Sequence, residues 1–146
     1  MDKAYDTFHE VLVKLFNEIM DIEAKAIITP DFKDITNNDM HVIEAVGIEE
    51  PRNMSSVAKS LSITVGTLTI SVNNLVKKGY IRRVRSNEDR RVVLISLTDK
   101  GKKAFNHHKK FHEDMIQSLI AGLSEKEINT LVTALTNLKE FFRNYR

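Results

Sequence analysis

Apolar residues recur three and four apart at Phe8, Leu12, Leu15, Ile19, Ile22 and Ala26, which predicts one long amphipathic helix over residues 2–28. Thr29-Pro30-Asp31 ends it. Thr36, with Asp39 at the third helical position, opens a second helix carrying Met40, Ile43 and Val46. After the connector Glu49-Glu50-Pro51, Ser55 or Ser56 is the expected cap of a short helix through Val57, Ala58 and Leu61. Thr64 caps the next helix, from Val65 to about Lys78, and Gly79 supplies its left-handed stop.

From Tyr80 the period changes from helical to alternating. Tyr80 to Arg85 and Arg91 to Leu97 read as two strands joined by a polar loop, a β-hairpin. Thr98 caps a long helix to about Ala121, and Gly122 ends it. Ser124 and Glu127 form a capping box for the last helix. There Ile128, Leu131, Leu135, Leu138, Phe142 and Tyr145 make a continuous seam that needs a partner. The expected fold is mainly α with a small β-hairpin wing. Residues 36–98 form a winged helix-turn-helix lobe, and helices 2–28, 99–121 and 125–144 are dimerisation helices. A two-fold dimer would present two reading helices roughly one DNA turn apart.

Composition narrows the function classes. With 42% hydrophobic and 29% charged residues the 146-residue chain is an ordinary globular sequence. Its lack of cysteine removes disulfides, thiolate nucleophiles and cysteine-rich zinc sites. No apolar run nears the roughly 20 residues of a membrane span, and the polar N-terminus does not resemble a secretory signal, so a cytoplasmic location is expected. The net charge of +2 conceals an uneven distribution. Residues 1–50 carry 4 Lys/Arg against 12 Asp/Glu, whereas residues 77–110 carry 12 against 3. A polyanion would dock on the helix end, the hairpin and the start of the following helix.

Projected at 100° per residue, the helix from Val65 groups Val65, Leu68, Val72, Leu75 and Val76 as a core side. Gly66, Thr67, Ile70, Asn73, Asn74 and Lys77 fall opposite, with Thr69 at the margin. Asn73 and Asn74 suit adenine edges, and Ile70 suits a thymine methyl. Thr64, at that helix's N-terminus, and Ser55, at the start of the helix before it, are further candidate DNA contacts. In the hairpin, Asp89 beside Arg90 and Arg91 orients one guanidinium while the other projects toward a narrow minor groove. Arg82, Arg83 and Arg85 would supply phosphate contacts. The competing reading is a helical protein–protein adaptor. An enzyme is not expected, since no nucleophile–base pair, phosphate loop or paired carboxylates stand out.

These residues carry a resemblance. The segment from Ser55 to Gly101 resembles the winged helix-turn-helix core of MarR-family transcription regulators. It shares the Lys-Lys-Gly-Tyr-Ile turn, the Asp-x-Arg wing (Asp89, Arg91) and the Leu-Thr-x-x-Gly exit (Leu97, Thr98, Gly101). The resemblance implies a homodimeric repressor that binds a pseudo-palindromic operator and responds to a ligand. Asp39–Glu44, Gly66–Thr69, Ser71–Leu75 and His108–His112 are similar to the MarR-type repressors of bacterial fatty-acid synthesis genes. That likeness implies long-chain acyl-acyl carrier protein as corepressor, and Lys100, Lys102, Lys103, Lys109 and Lys110 offer a basic patch to an acidic carrier.

Two effector sites are weighed. Phe16, Met20, Met40, Phe105, Phe111 and Met115, with His41, His108 and His112, are candidate linings of an acyl slot. Alternatively, His108 and His112 at i, i+4, approached by His41 and completed by Glu23, Glu44 or Glu113, would hold a zinc ion and make a metal-responsive regulator. Lys109 and Lys110 beside the pair oppose a dication, so no metal is the preferred expectation.

Overall fold

A computed structural model describes residues 1–145. Two compact units divide the chain, Met1–Lys109 and the segment from Lys110 onward.

The first unit begins with helix α1 (Asp2–His9), a π-helical stretch (Glu10–Leu15) and α2 (Phe16–Ile27) in succession. The single long helix expected over 2–28 therefore contains a wider-wound segment, which its apolar spacing did not signal. From Asp2 to Leu15 no residue is buried, and Phe8 and Phe16 are more than 60% exposed. Helix α3 (Asn37–Val46) opens with the expected capping box: Asp39 N–H donates to Thr36 Oγ1, and Thr36 N–H donates to Asp39 Oδ2.

Helix α4 (Met54–Leu61) is capped by Asn53, whose Oδ1 accepts from Ser56 N–H at 2.7 Å. This corrects the expected cap at Ser55 or Ser56. Asparagine three residues before a serine outcompetes the serines themselves, because its carbonyl reaches the third amide. Helix α5 (Val65–Lys77) starts at Thr64, whose Oγ1 accepts from Thr67 N–H.

The sheet has three antiparallel strands in the order β1-β3-β2, with β1 at Arg52–Asn53, β2 at Ile81–Arg85 and β3 at Val93–Leu97. Strand β1 was not expected. Two polar residues have no alternation to detect, and they become a strand only because Ile95 and Leu94 lie opposite. Arg91 is outside β3 because the Val92 amide turns back to the Asp89 carbonyl. Tyr80 precedes β2, fully buried.

Leu68, Val72 and Leu75 of α5 pack with Ile43, Val57, Tyr80, Ile81, Ile95 and Leu97 in one core. Val65, expected on that core side, is 43% exposed because the first helical turn overhangs the core edge. Thr98 caps helix α6 (Asp99–Ile120) by accepting from Gly101 N–H, and its own hydroxyl donates to the Gly79 carbonyl at 2.6 Å. The turn that ends α5 is thus stapled to the end of β3.

In the second unit, Gly122 takes φ +79°, a left-handed conformation that a side chain would disfavour. Ser124 and Glu127 complete a capping box for α7 (Glu125–Arg143). No residue of α7 is buried, and Leu135, Phe142 and Tyr145 of its seam are exposed. No helix is long and apolar enough to cross a membrane among the described residues.

Candidate nucleic-acid interface

The core side of α5 fixes what its other side presents. With Leu68, Val72 and Leu75 buried, Gly66, Thr67, Ile70, Asn73, Asn74 and Lys77 are all exposed. Ile70 is 66% exposed on a helix that has a filled core beneath it. Thr64 and Thr67 are engaged in the cap, where their hydroxyls lie 2.9 Å apart, and Thr69 Oγ1 donates back to the Val65 carbonyl. Those hydroxyls keep acceptor capacity, but their protons are partly committed within the helix. Ser55 is exposed on α4.

The C-terminal end of α5 is tied down by charge. Lys78 Nζ lies 2.8 Å from Asp39 Oδ2, so the carboxylate that caps α3 also anchors the end of the reading helix. Beside it, Tyr80 donates its hydroxyl to Asp34 Oδ1 at 2.8 Å, and the Lys100 ammonium sits 4.2 Å above the Tyr80 ring. The Tyr80 hydroxyl holds the Asp34 carboxyl below the usual carboxylate range, helped by Lys100 and Lys78. Burial, then the Asp34 hydrogen bond, pushes the Tyr80 phenol well above its ordinary value. Helix α5, the segment before α3 and the first turn of α6 are therefore one charge-linked assembly. Sequence reading missed it, since nothing in Asp34, Tyr80 or Lys100 alone marks them as partners.

At the wing tip the division of labour between the two arginines is resolved. Asp89 receives Arg91 through Nε (3.1 Å), Nη2 (3.2 Å) and the Arg91 amide (3.0 Å). Arg91 holds the Asp89 carboxyl below its ordinary range. The Arg90 side chain has no partner among the described residues, and both arginines are exposed. On the wing strands, Arg82 Nε donates to Ser96 Oγ at 3.1 Å, Arg85 Nη1 donates to the Arg90 carbonyl at 3.2 Å, and Arg83 donates to Asn73 Oδ1. The arginines expected as loose phosphate contacts are thus positioned by the protein itself.

The effector residues are dispersed differently from expectation. Met40 is 1% exposed and packs in the core. Phe105 is half-buried against the same core, while Phe16 and Met20 are exposed. In the second unit Phe111 and His112 are half-buried and Met115 is exposed. His108 is 2% exposed, with Nδ1 2.6 Å from Glu44 Oε1 and Nε2 2.9 Å from Glu23 Oε1, which ties α2, α3 and α6 together. Each ring nitrogen thus faces one carboxylate oxygen. His41 is exposed and joins no cluster of metal-ligating side chains among the described residues. His41 therefore stands apart from His108: it sits on the outer side of α3, beside Arg52 and Ser60.

Comparisons with known proteins bear on the family and the fold. A profile described as "Transcriptional regulator SarA/Rot" matches residues 27–108. The regulator SarZ of Staphylococcus haemolyticus is 31% identical over 71% of this chain and 72% of its own length. The crystal structure of Streptococcus pneumoniae FabT in complex with DNA aligns with a TM-score of 0.83 and 42% identity, covering 97% of this chain and 99% of that one. A MarR family regulator, SP03579, shares the fold at 15% identity and a TM-score of 0.74, over 98% of this chain and 92% of its own.

Proposed function

The chain belongs to the SarA/Rot family of transcriptional regulators, which has the MarR-like winged-helix fold and is not a family of enzymes, and on that premise we propose that it grips a pseudo-palindromic operator as a homodimer and represses transcription. One observation carries the proposal. An α5 face of Thr67, Ile70, Asn73 and Asn74 stands exposed beside a wing whose Arg91 is braced by Asp89. Helix and wing fit the major groove and the adjoining minor groove. The likeness to FabT, a structure solved with DNA, supports the same placement. Dimerisation is supported by exposed apolar residues on α1 and on α7, each face unpartnered within its own unit.

The regulated genes, on this reading, are those of fatty-acid synthesis, with long-chain acyl-acyl carrier protein as corepressor. The residues shared with that group of repressors and the exposed Lys102, Lys103, Lys109 and Lys110 support it. The cytoplasm is the corresponding location. The deciding experiment is selection of duplex DNA from a random pool by the purified dimer, followed by binding at several salt concentrations. The expected result is a two-fold AT-rich motif whose affinity drops about a thousandfold or more between 50 and 200 mM salt, the consequence of six to ten phosphate contacts. Recovery of no motif, with salt-insensitive binding, sinks the proposal and leaves the adaptor reading.

A further inference from the structure

An asparagine on a reading helix ordinarily specifies adenine by using its amide twice, accepting from N6 and donating to N7. That requires both ends of the amide to be available. In α5 the two asparagines differ in this respect. Asn73 Oδ1 accepts from the Arg83 guanidinium, whereas the Asn74 side chain has no partner among the described residues.

The chemistry of arginine settles which way the Asn73 amide points. A guanidinium offers donors only, so it faces the amide oxygen, and the Asn73 NH2 is turned away from the wing. The support for this hold is firm. Arg83 lies at the centre of β2, paired with Ile95, and Ile95 is fully buried. Its neighbours are used elsewhere: Arg82 is taken by Ser96, and Arg85 by the Arg90 carbonyl. Arg83 is therefore the strand residue that spans from the wing to the reading helix.

We propose that Arg83 is a positioning residue for base reading: by holding Asn73 Oδ1 toward the wing, it leaves the Asn73 NH2 as the end presented to a base edge, which selects guanine over adenine. Guanine presents only acceptors, N7 and O6, to the major groove, while adenine presents one acceptor and one donor. With its oxygen engaged, Asn73 is poorly placed to accept from adenine N6 but keeps two N–H groups for guanine. Adenine reading then falls to Asn74. The inference rests on the operator-reading function proposed above, and it distinguishes Arg83 from a phosphate contact.

The test uses the operator recovered by selection and a panel of its single-base variants, with affinities measured at one salt concentration. The proteins are wild type, Asn73→Ala, Arg83→Ala and the double variant, each checked for wild-type melting. The expected result is that Asn73→Ala and Arg83→Ala relax the same position, where a wild-type preference for guanine of about tenfold or more shrinks to within about twofold. The double variant should be no less selective there than either single variant, since Arg83 acts through Asn73.

A uniform loss for Arg83→Ala across the panel, with the salt slope reduced by about one and the base preferences intact, overturns the proposal in favour of a phosphate contact. Adenine preferred at the Asn73 position overturns it equally. A wild-type protein that selects no motif refutes the operator-reading function itself, a result separable from either of these.

Discussion

Gly101 occupies the first turn of α6, where alanine would ordinarily be the better residue by up to about 1 kcal/mol. The structure predicts the opposite sign. A Cβ built at Gly101 would lie 2.1 Å from the Tyr80 carbonyl oxygen, 3.1 Å from its carbon and 3.2 Å from Leu97 Cβ. Contact distances near 3.5 Å are needed, so the helix or the strand entry must move by more than about 1 Å. Neither is free to do so. The Tyr80 oxygen accepts the Thr98 amide at 3.0 Å, and the Tyr80 and Leu97 side chains are buried.

Overpacking against backbone costs about 1–3 kcal/mol, and weakening the Thr98 hydrogen bond adds about 1 kcal/mol. Set against the full propensity gain, Gly101→Ala should destabilise by about 1–3 kcal/mol. The assay is urea unfolding followed by far-ultraviolet circular dichroism. With a slope of about 1–3 kcal/mol per molar, a loss of about 2 kcal/mol lowers the midpoint by about 0.7–2 M. Gly66→Ala is the control: its Cβ would meet only Thr64 Oγ1 at 3.8 Å, an ordinary contact, so stability should hold or rise by a few tenths of a kcal/mol. A Gly101→Ala protein as stable as wild type would refute the close approach of α6 to Tyr80.

Further outcomes follow from the charge-linked residues and the exposed seams. Asp89→Asn leaves Arg91 without its bidentate anchor and should weaken operator binding about tenfold in a mobility-shift titration, while melting stays unchanged, because Asp89 and Arg91 lie at the wing tip. Tyr80→Phe removes the hydroxyl that holds the Asp34 carboxyl low and should cost about 1 kcal/mol at neutral pH. Because the folded carboxyl is depressed, its contribution is present above the unfolded value near 3.9 and disappears as pH falls through the lower folded value. Wild-type and Tyr80→Phe unfolding midpoints should therefore converge below about pH 4, and a gap that stays constant would show that Asp34 is not the partner. Phe142→Glu places a charge on an exposed apolar residue of α7 and should shift sedimentation toward monomer, and an unchanged dimer would exclude that seam from the interface.

The α-helices and most of their caps were legible in the chain because they depend on neighbours three and four residues away, the π-helical stretch and the Asn53 cap being the exceptions. The Thr36–Asp39 and Ser124–Glu127 boxes, the Gly79 and Gly122 stops and the buried stripe of Leu68, Val72 and Leu75 all obey local spacing. The reading side of α5 was legible for the same reason: once the core stripe is known, the opposite face must be outside. The uneven charge was likewise legible, since it needs only a count along the chain.

The partners within that frame were decided by the tertiary structure. Tyr80 meets Asp34 across 46 residues, and His108 meets Glu44 and Glu23 across 64 and 85. No period or motif encodes such a meeting. Packing of the apolar stripes brings the helices together, and only then does desolvation make a particular carboxylate the best acceptor in reach. Met40 and His41 illustrate the point, since adjacent positions on α3 ended in the core and in solvent through the angle at which that helix packs. The same holds for Asn73. Its place on the exposed face of α5 follows from sequence, but the direction of its amide follows from an arginine that the sheet holds against it.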